Sequence, residues 1–350
     1  MDFIAEYRKK TKKSLIISAV LILLIVFCSF LFLNLGAADV SAEDIFRIIA
    51  GNIAKDESLF DGIKKGTVSV VWHYRLPRII CAVLVGAGLS TAGCCFQSIL
   101  RNPLADPYTL GISTGSAFGA SIAIYLNITY GFSLPVSLIS LVSGFITLIT
   151  VIAISKRGSG RFSNNLIIAG IIMSAFLSSG ISFIKMMAGE NVGAIVFWLM
   201  GSLSSKTWSD VKLLFPVILI SVFVCTFFAR SLNLMTFGEK DAESLGVEVK
   251  KMRLMYMCIS SVITAVCVST CGIIGFVGLI VPHMLRLIIG GDNRILIPLS
   301  ALLGSLLLLL SDNSARLISQ GEIPVGVITT LLGGPFFIFL FMRNGGNKVE

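Results

Sequence analysis

Apolar blocks of about 17 to 23 residues, parted by short charged connectors, run through nearly the whole chain. The hydrocarbon core of a bilayer is ~30 Å thick, and a helix rising ~1.5 Å per residue crosses it in ~20 residues. Inside hydrocarbon every backbone polar group needs an internal partner, so the pattern predicts an all-α, polytopic integral membrane protein. Ten helices are predicted, near 14–33, 77–99, 108–126, 134–154, 166–187, 211–229, 253–271, 273–289, 295–311 and 324–342. No connector exceeds about 40 residues, so residues 1–350 read as a single transmembrane domain with both ends on one side.

Charge sets the expected orientation. Placing both termini in the cytoplasm puts 18 of the 28 Lys and Arg residues inside and 10 outside, while the 19 acidic residues split 9 against 10. A bias confined to basic residues is the positive-inside signature. It accounts for the net charge of +9 without nucleic acid, and no basic patch interleaved with aromatics occurs. Arg8, Lys9, Lys10, Lys12 and Lys13 precede the first apolar run, and Gly36-Ala37-Ala38 follow it, as in a secretory leader. The run is longer than a leader's core of about 7–15 residues, so a retained first helix is expected.

Within the spans the chemistry is sparse. Cys28, Cys81, Cys94, Cys95, Cys225, Cys258, Cys267 and Cys271 all lie in apolar segments without a CxxC pair, and the histidines are His73 and His283. Such cysteines read as small packing residues; neither a metal site nor a catalytic cluster is expected. A proton- or ion-coupled carrier places carboxylates near the bilayer midplane, and these spans hold almost none. Asp312, Lys185, Arg78 and Arg286 fall near helix ends, where long side chains can reach the interface. No GxxxxGK[ST] loop occurs, so any ATP used must be bound by a partner.

Backbone cues mark three further places. The seventh and eighth segments must turn near Cys271-Gly272, and Gly272, Gly275 and Gly278 predict non-helical backbone at depth. Gly111, Gly115 and Gly119, and again Gly326, Thr330 and Gly334, form rows of small residues that permit close helix approach, the second row also suiting a subunit interface.

Two connectors carry information. LNLMTFGEKDAESLGVEVKK, at 232–251, alternates apolar and charged positions. Glu239, Asp241 and Glu243 favour a helix start and Gly246 a helix stop, predicting a short helix held at the cytoplasmic surface as a docking element. On the other side, Ser41 and Asp44 have capping-box spacing for a short helix, and the connector closes on Arg75-Leu76-Pro77-Arg78. With Arg316 these arginines suit either snorkelling to the interface or bidentate capture of carboxylates.

In order along the chain, RLPR at 75–78, RNPLADP at 101–107, LGIS at 110–113, WLMGSL at 198–203, FGEKDAESLGV at 237–247, GFVGLIVPHMLRL at 275–287, SDNSAR at 311–316 and EIPVGVITTLLGGPFF at 322–337 resemble a known set. They are similar to the permease subunits of binding-protein-dependent ABC importers for iron-siderophores, haem and cobalamin, the FecCD type. The resemblance covers residues from about 70 to 342; one departure is Ile273, where similar proteins usually carry proline.

That resemblance implies a homodimeric permease in the bacterial or archaeal cytoplasmic membrane, working with two copies of a cytoplasmic ATPase and an extracytoplasmic substrate-binding protein. It implies docking of the binding protein at Arg75, Arg78 and Arg316, and ATPase coupling through Glu239, Asp241, Ala242, Glu243, Leu245 and Gly246. The pathway would run along the dimer axis between the fifth and tenth helices, whose mild polar groups include Ser174, Ser178, Thr329 and Thr330. The expected cargo is a metal chelate, an iron-siderophore first, with haem, cobalamin or an oxyanion as the alternatives within this frame and an ion-coupled secondary transporter as the alternative outside it. No catalytic residue, metal site or cofactor of the chain's own is expected; ATP is used by the partner.

Overall fold

The protein, seen in a computed structural model, is described over residues 2–35, 40–157, 162–318 and 323–345, and is all-helical there. Gly36-Ala37-Ala38 lies outside the described residues. Seven helical stretches are long and apolar enough to cross a membrane, and Val277–Ile289 and Val325–Phe336 are shorter apolar helices.

The chain opens with α1 (Asp2–Asn34), then the short surface helices α2 (Ala42–Ala54) and α3 (Lys65–Ser69). The Ser41 hydroxyl caps α2 by accepting the Asp44 amide at 3.0 Å. From α3 the chain stays helical through a π-helical turn at Val70–Arg75 into α4 (Leu76–Leu100). Pro77 sits in the first turn of α4, where it removes an N–H and crowds the carbonyl four residues back. The wider π turn just before it absorbs that conflict.

α4 is the hub: most of its residues are buried, on every face. A Cβ on Gly86 would lie 2.2 Å from the Gly304 oxygen, and one on Gly93 would lie 1.7 Å from the Gly278 oxygen, so two neighbouring helices cross α4 backbone to backbone. They are α13 (Val277–Ile289) and α14 (Asn293–Ile318), and α12 (Val249–Cys271) and α9 (Trp208–Phe227) complete the ring around it. A second group holds α5 (Ile112–Tyr130), α6 (Val136–Arg157), α7 (Phe162–Ala188) and the short α8 (Val192–Leu199). Here the glycine row at 111, 115 and 119 is internal packing: a Cβ on Gly115 would meet Thr147 Oγ1 at 2.1 Å, and one on Gly119 would meet Ser143 Cβ at 2.5 Å. Two short helices, α10 (Ala229–Phe237) and α11 (Glu239–Ser244), lie between α9 and α12, and α15 (Val325–Gly345) closes the described chain.

The turn after α12 is where geometry departs most from plain helix. α12 has 23 residues and α13 only 13, about 35 Å against about 20 Å of rise. The five intervening residues, Gly272 to Phe276, are non-helical and supply about 16 Å if extended. Protein groups meet part of that backbone, as membrane depth demands: the Gly272 amide donates to Val268 O at 2.8 Å, and the Tyr108 hydroxyl donates to Ile274 O at 2.5 Å. Gly201 and Gly326 let this stretch of backbone approach, since a Cβ on either would fall 2.2 or 2.7 Å, respectively, from the Ile273 oxygen. Phe276 then opens α13 at φ +68°, a left-handed conformation rare for a bulky residue, with its ring set against Gly333 of α15.

Candidate functional site

The predicted docking and coupling residues fall at opposite ends of the bundle. α1, α4 and α14 run antiparallel in turn, so the end of α1, the start of α4 and the end of α14 meet at one end. The end of α4, the start of α14, α10 and α11 meet at the other.

At the first end Arg75 and Arg316 reach the C-terminus of α1, and Arg78 reaches α14. Helix C-termini leave carbonyls without intrahelical partners and carry partial negative charge. Arg75, 6% exposed, donates through Nη1 to Leu33 O at 2.6 Å and reaches Asn34 O at 3.4 Å. Arg316 donates to Leu35 O at 3.3 Å and to Asn313 Oδ1 at 3.1 Å. Arg78 grips Asp312 with both prongs, Nε to Oδ2 at 2.8 Å and Nη2 to Oδ1 at 2.9 Å.

The side chains of that pair are 12% and 2% exposed. The reading of Arg78 and Asp312 as residues stretching to the interface is therefore corrected: each meets the other's charge inside the bundle. Arg286 is corrected likewise, turning inward to Gln97 Oε1. A residue's distance from a helix end says how far it could snorkel, not whether a counter-charge or amide stands closer. Beside the arginines, Trp208 Nε1 donates to Trp72 O at 2.9 Å with the two rings 4.9 Å apart, tying the start of α9 to the π turn.

Between the ends, α7 and α15 present broad apolar faces: Ile171, Ile172 and Phe176 on one and Leu331, Leu332 and Ile338 on the other are exposed. Of the four predicted lining residues, Ser178 and Thr330 are exposed, Ser174 is half-buried and Thr329 is buried. Both threonine hydroxyls donate to Gly326 O within their own helix, at 3.1 and 2.7 Å. The small-residue row of α15 is divided: Gly326 is jammed against backbone, whereas a Cβ on Gly334 would meet nothing within 4 Å.

At the second end the 237–247 segment forms the short helix its pattern predicts. Ala242 is fully buried in a small separate cluster with Met235 and Val249, while Phe237 and Leu245 are 78% and 65% exposed. The helix ends in a Schellman motif, with the Gly246 amide on Glu243 O at 3.0 Å and the Val247 amide on Ala242 O at 3.0 Å. Gly246 adopts φ +83°, which only glycine takes without strain. Glu239 accepts from Arg253 of α12 at 2.6 Å. Asp241 and Glu243 remain exposed. Pattern reading missed Phe237, beside this helix, and Arg253 of α12, which is 9% exposed; an arginine one turn into a helix, fourteen residues after a surface glutamate, was the available signal for the second. Among the described residues no group of three or more His, Cys, Asp and Glu could hold a metal ion.

Comparison with known proteins meets this geometry. The sequence model of the FecCD transport family matches residues 21–343. An uncharacterized ABC transporter permease protein, YvrB of Bacillus subtilis, is 39% identical, the match covering 91% of each chain. The hemin transport system permease protein HmuU of Yersinia pestis is 35% identical over 95% of this chain and 97% of its own. A solved structure described as an inward-facing conformation of a metal-chelate type ABC transporter superposes with a TM-score of 0.81 at 33% identity, covering 93% of this chain and 99% of that one. Other relatives are named as permeases for cobalamin, molybdate, iron(III) dicitrate and iron(III) hydroxamate.

Proposed function

Because this chain belongs to the FecCD transport family, and is therefore a non-catalytic, integral inner-membrane permease subunit of an ABC importer whose ATPase is a separate subunit, we propose that it carries a metal chelate, an iron-siderophore first, into the cytoplasm. The observation that carries the mechanism is the anchored, outward-facing helix α11. Its buried Ala242 and the Glu239–Arg253 pair hold it to α12, and Phe237 and Leu245 stand clear for a partner. An ATPase seated on Leu245, Gly246, Asp241 and Glu243 pushes α11, and the push passes through Arg253 into α12. Movement follows only where the ATPase's nucleotide states bind the two permease conformations with different affinity.

The chain crosses the membrane ten times in this reading, with both termini and α11 in the cytoplasm, as one permease domain over 1–350. Two copies pair through α7 and α15, covering the apolar faces left bare in one chain, with Ser174, Ser178 and Thr330 on the pathway and Thr329 behind them. The substrate-binding protein docks on the opposite end. Arg316 is the direct contact there, and Arg75 and Arg78 shape the surface by fixing α1 and α14 beneath it.

Cargo rests on the relatives' names, which divide among ferric chelates, haem, cobalamin and molybdate. The spans offer no cluster of metal-binding side chains among the described residues, which suits a metal crossing inside its chelator better than a bare ion. The test is to purify the binding protein that associates with this permease and identify its ligand by mass spectrometry. A ferric hydroxamate or catecholate is expected; a corrinoid, haem or molybdate in its place overturns the siderophore assignment and leaves the permease role standing.

A further inference from the structure

At the α10–α11 end a cavity of about 290 Å³ opens between the end of α4, α10 and the α13–α14 turn, lined among others by Gln97, Ser98, Arg101, Asn102, Thr236 and Arg286. Two guanidiniums share it, and among the described residues no carboxylate lines it. The acid closest in sequence, Asp292, is already engaged by Arg294 at 2.7 Å and by the Asn233 amide at 2.7 Å. Arg101 ends α4 in a left-handed conformation, φ +51°, and uses Nη2 on Met235 O at 2.5 Å. Arg286 gives Nη1 to Gln97 Oε1, and its Nη2 stands 3.4 Å from Ser98 Oγ and 3.5 Å from Cys94 O. A guanidinium has five N–H donors, so both arginines keep donors for a guest after these contacts. The Asn102 amide also lines the cavity, while the Ser98 and Thr236 hydroxyls in its wall already donate to Asn293 Oδ1 at 2.9 Å and Asn233 O at 2.6 Å.

Paired guanidiniums with spare donors and no competing acid are the chemistry of phosphate recognition, and basic pockets between helices at the cytoplasmic leaflet hold anionic headgroups. We infer that this cavity binds a phosphate-bearing anion, supplied either by the headgroup of an anionic phospholipid or by free phosphate. Because Arg101 also holds Met235 and Thr236 forms part of the wall, the bound anion braces α10 against α4.

The test uses the full-length protein in two arms. Native mass spectrometry after exchange into nanodiscs of mixed phosphatidylglycerol and phosphatidylcholine reads a retained headgroup, and titration of delipidated protein with inorganic phosphate reads the free anion. Binding is expected in at least one arm, weakened at least tenfold in Arg101→Gln and unchanged in Lys156→Gln, a basic residue at the end of α6 outside the cavity. Retention of phosphatidylglycerol over phosphatidylcholine identifies the lipid as the source; saturable phosphate binding identifies the free anion. Arg286→Gln serves as a second variant where it folds, but Arg101, exposed at the helix end, carries the test. No binding in either arm, or equal binding by wild type and Arg101→Gln, overturns the assignment.

Discussion

Arg78 of α4 and Asp312 of α14 stand 234 positions apart in sequence and close a two-pronged ion pair, at 2.8 and 2.9 Å, within the bundle. Removing one partner of a buried pair leaves the other charge uncompensated, which costs about 3–5 kcal/mol. Arg78→Ala and Asp312→Ala are each expected to lower thermal stability in detergent by that order. The joint change Arg78→Met with Asp312→Leu should recover most of the loss. Differential scanning fluorimetry of the four proteins checks this, and equal losses in the single and joint variants would contradict it.

Arg75 and Arg316 differ in what they should affect. Arg75→Ala takes a buried donor from the last carbonyls of α1 and should cost about 1–3 kcal/mol, seen as faster amide exchange at the end of α1. Arg316→Glu should leave stability within about 1 kcal/mol, as for most surface changes, and weaken binding-protein affinity at least tenfold in surface plasmon resonance. Full affinity in Arg316→Glu would remove that residue from the docking face.

At the other end, Leu245→Asp should spare the fold, because Leu245 is 65% exposed, yet reduce ATPase co-purification several-fold. Gly246→Val adds strain at φ +83°, about 1–2 kcal/mol, and should loosen α11. Arg253→Gln should keep the ATPase bound but cut transport per ATP hydrolysed. Unaltered stoichiometry of transport in Arg253→Gln would show that α11 does not act through α12.

Asp106 gives a pH signature outside the spans. Burial pushes its carboxyl up to about 6 from an ordinary value near 3.8, opposed by the hydrogen bond from the Tyr108 amide. An acid whose folded pKa is raised favours folding while protonated. That contribution is complete below about pH 3.8 and is lost as pH rises through about 6. The melting temperature of wild type minus that of Asp106→Asn should therefore fall as pH climbs from about 4 to about 7. A flat difference would contradict the assignment.

Much of this architecture was legible in the sequence for a simple reason: hydrocarbon leaves a chain few choices. Among the described residues seven helical stretches are long and apolar enough to cross a membrane, and the glycines after Cys271 announced a break that α13, too short to retrace α12, makes necessary. The short helix over 239–244 and its glycine stop were legible because caps are local chemistry. What stayed hidden was long-range. Nothing in RLPR says that Arg75 will cap α1, forty-two residues upstream, or that Arg78 will find Asp312. Length and hydropathy locate a helix, whereas the partner of a charge depends on which helices become neighbours. Phe276 was hidden for a related reason: its ring packs against Gly333 of α15, fifty-seven residues further along the chain.

The most direct measurement is uptake into sealed proteoliposomes of defined composition. This subunit, its ATPase and the loaded binding protein together, with ATP supplied on the α11 side, should accumulate ferric chelate against a gradient, and omission of either partner should abolish it. Accumulation by vesicles containing this chain as their sole protein, or uptake driven by an ion gradient without ATP, would contradict the account.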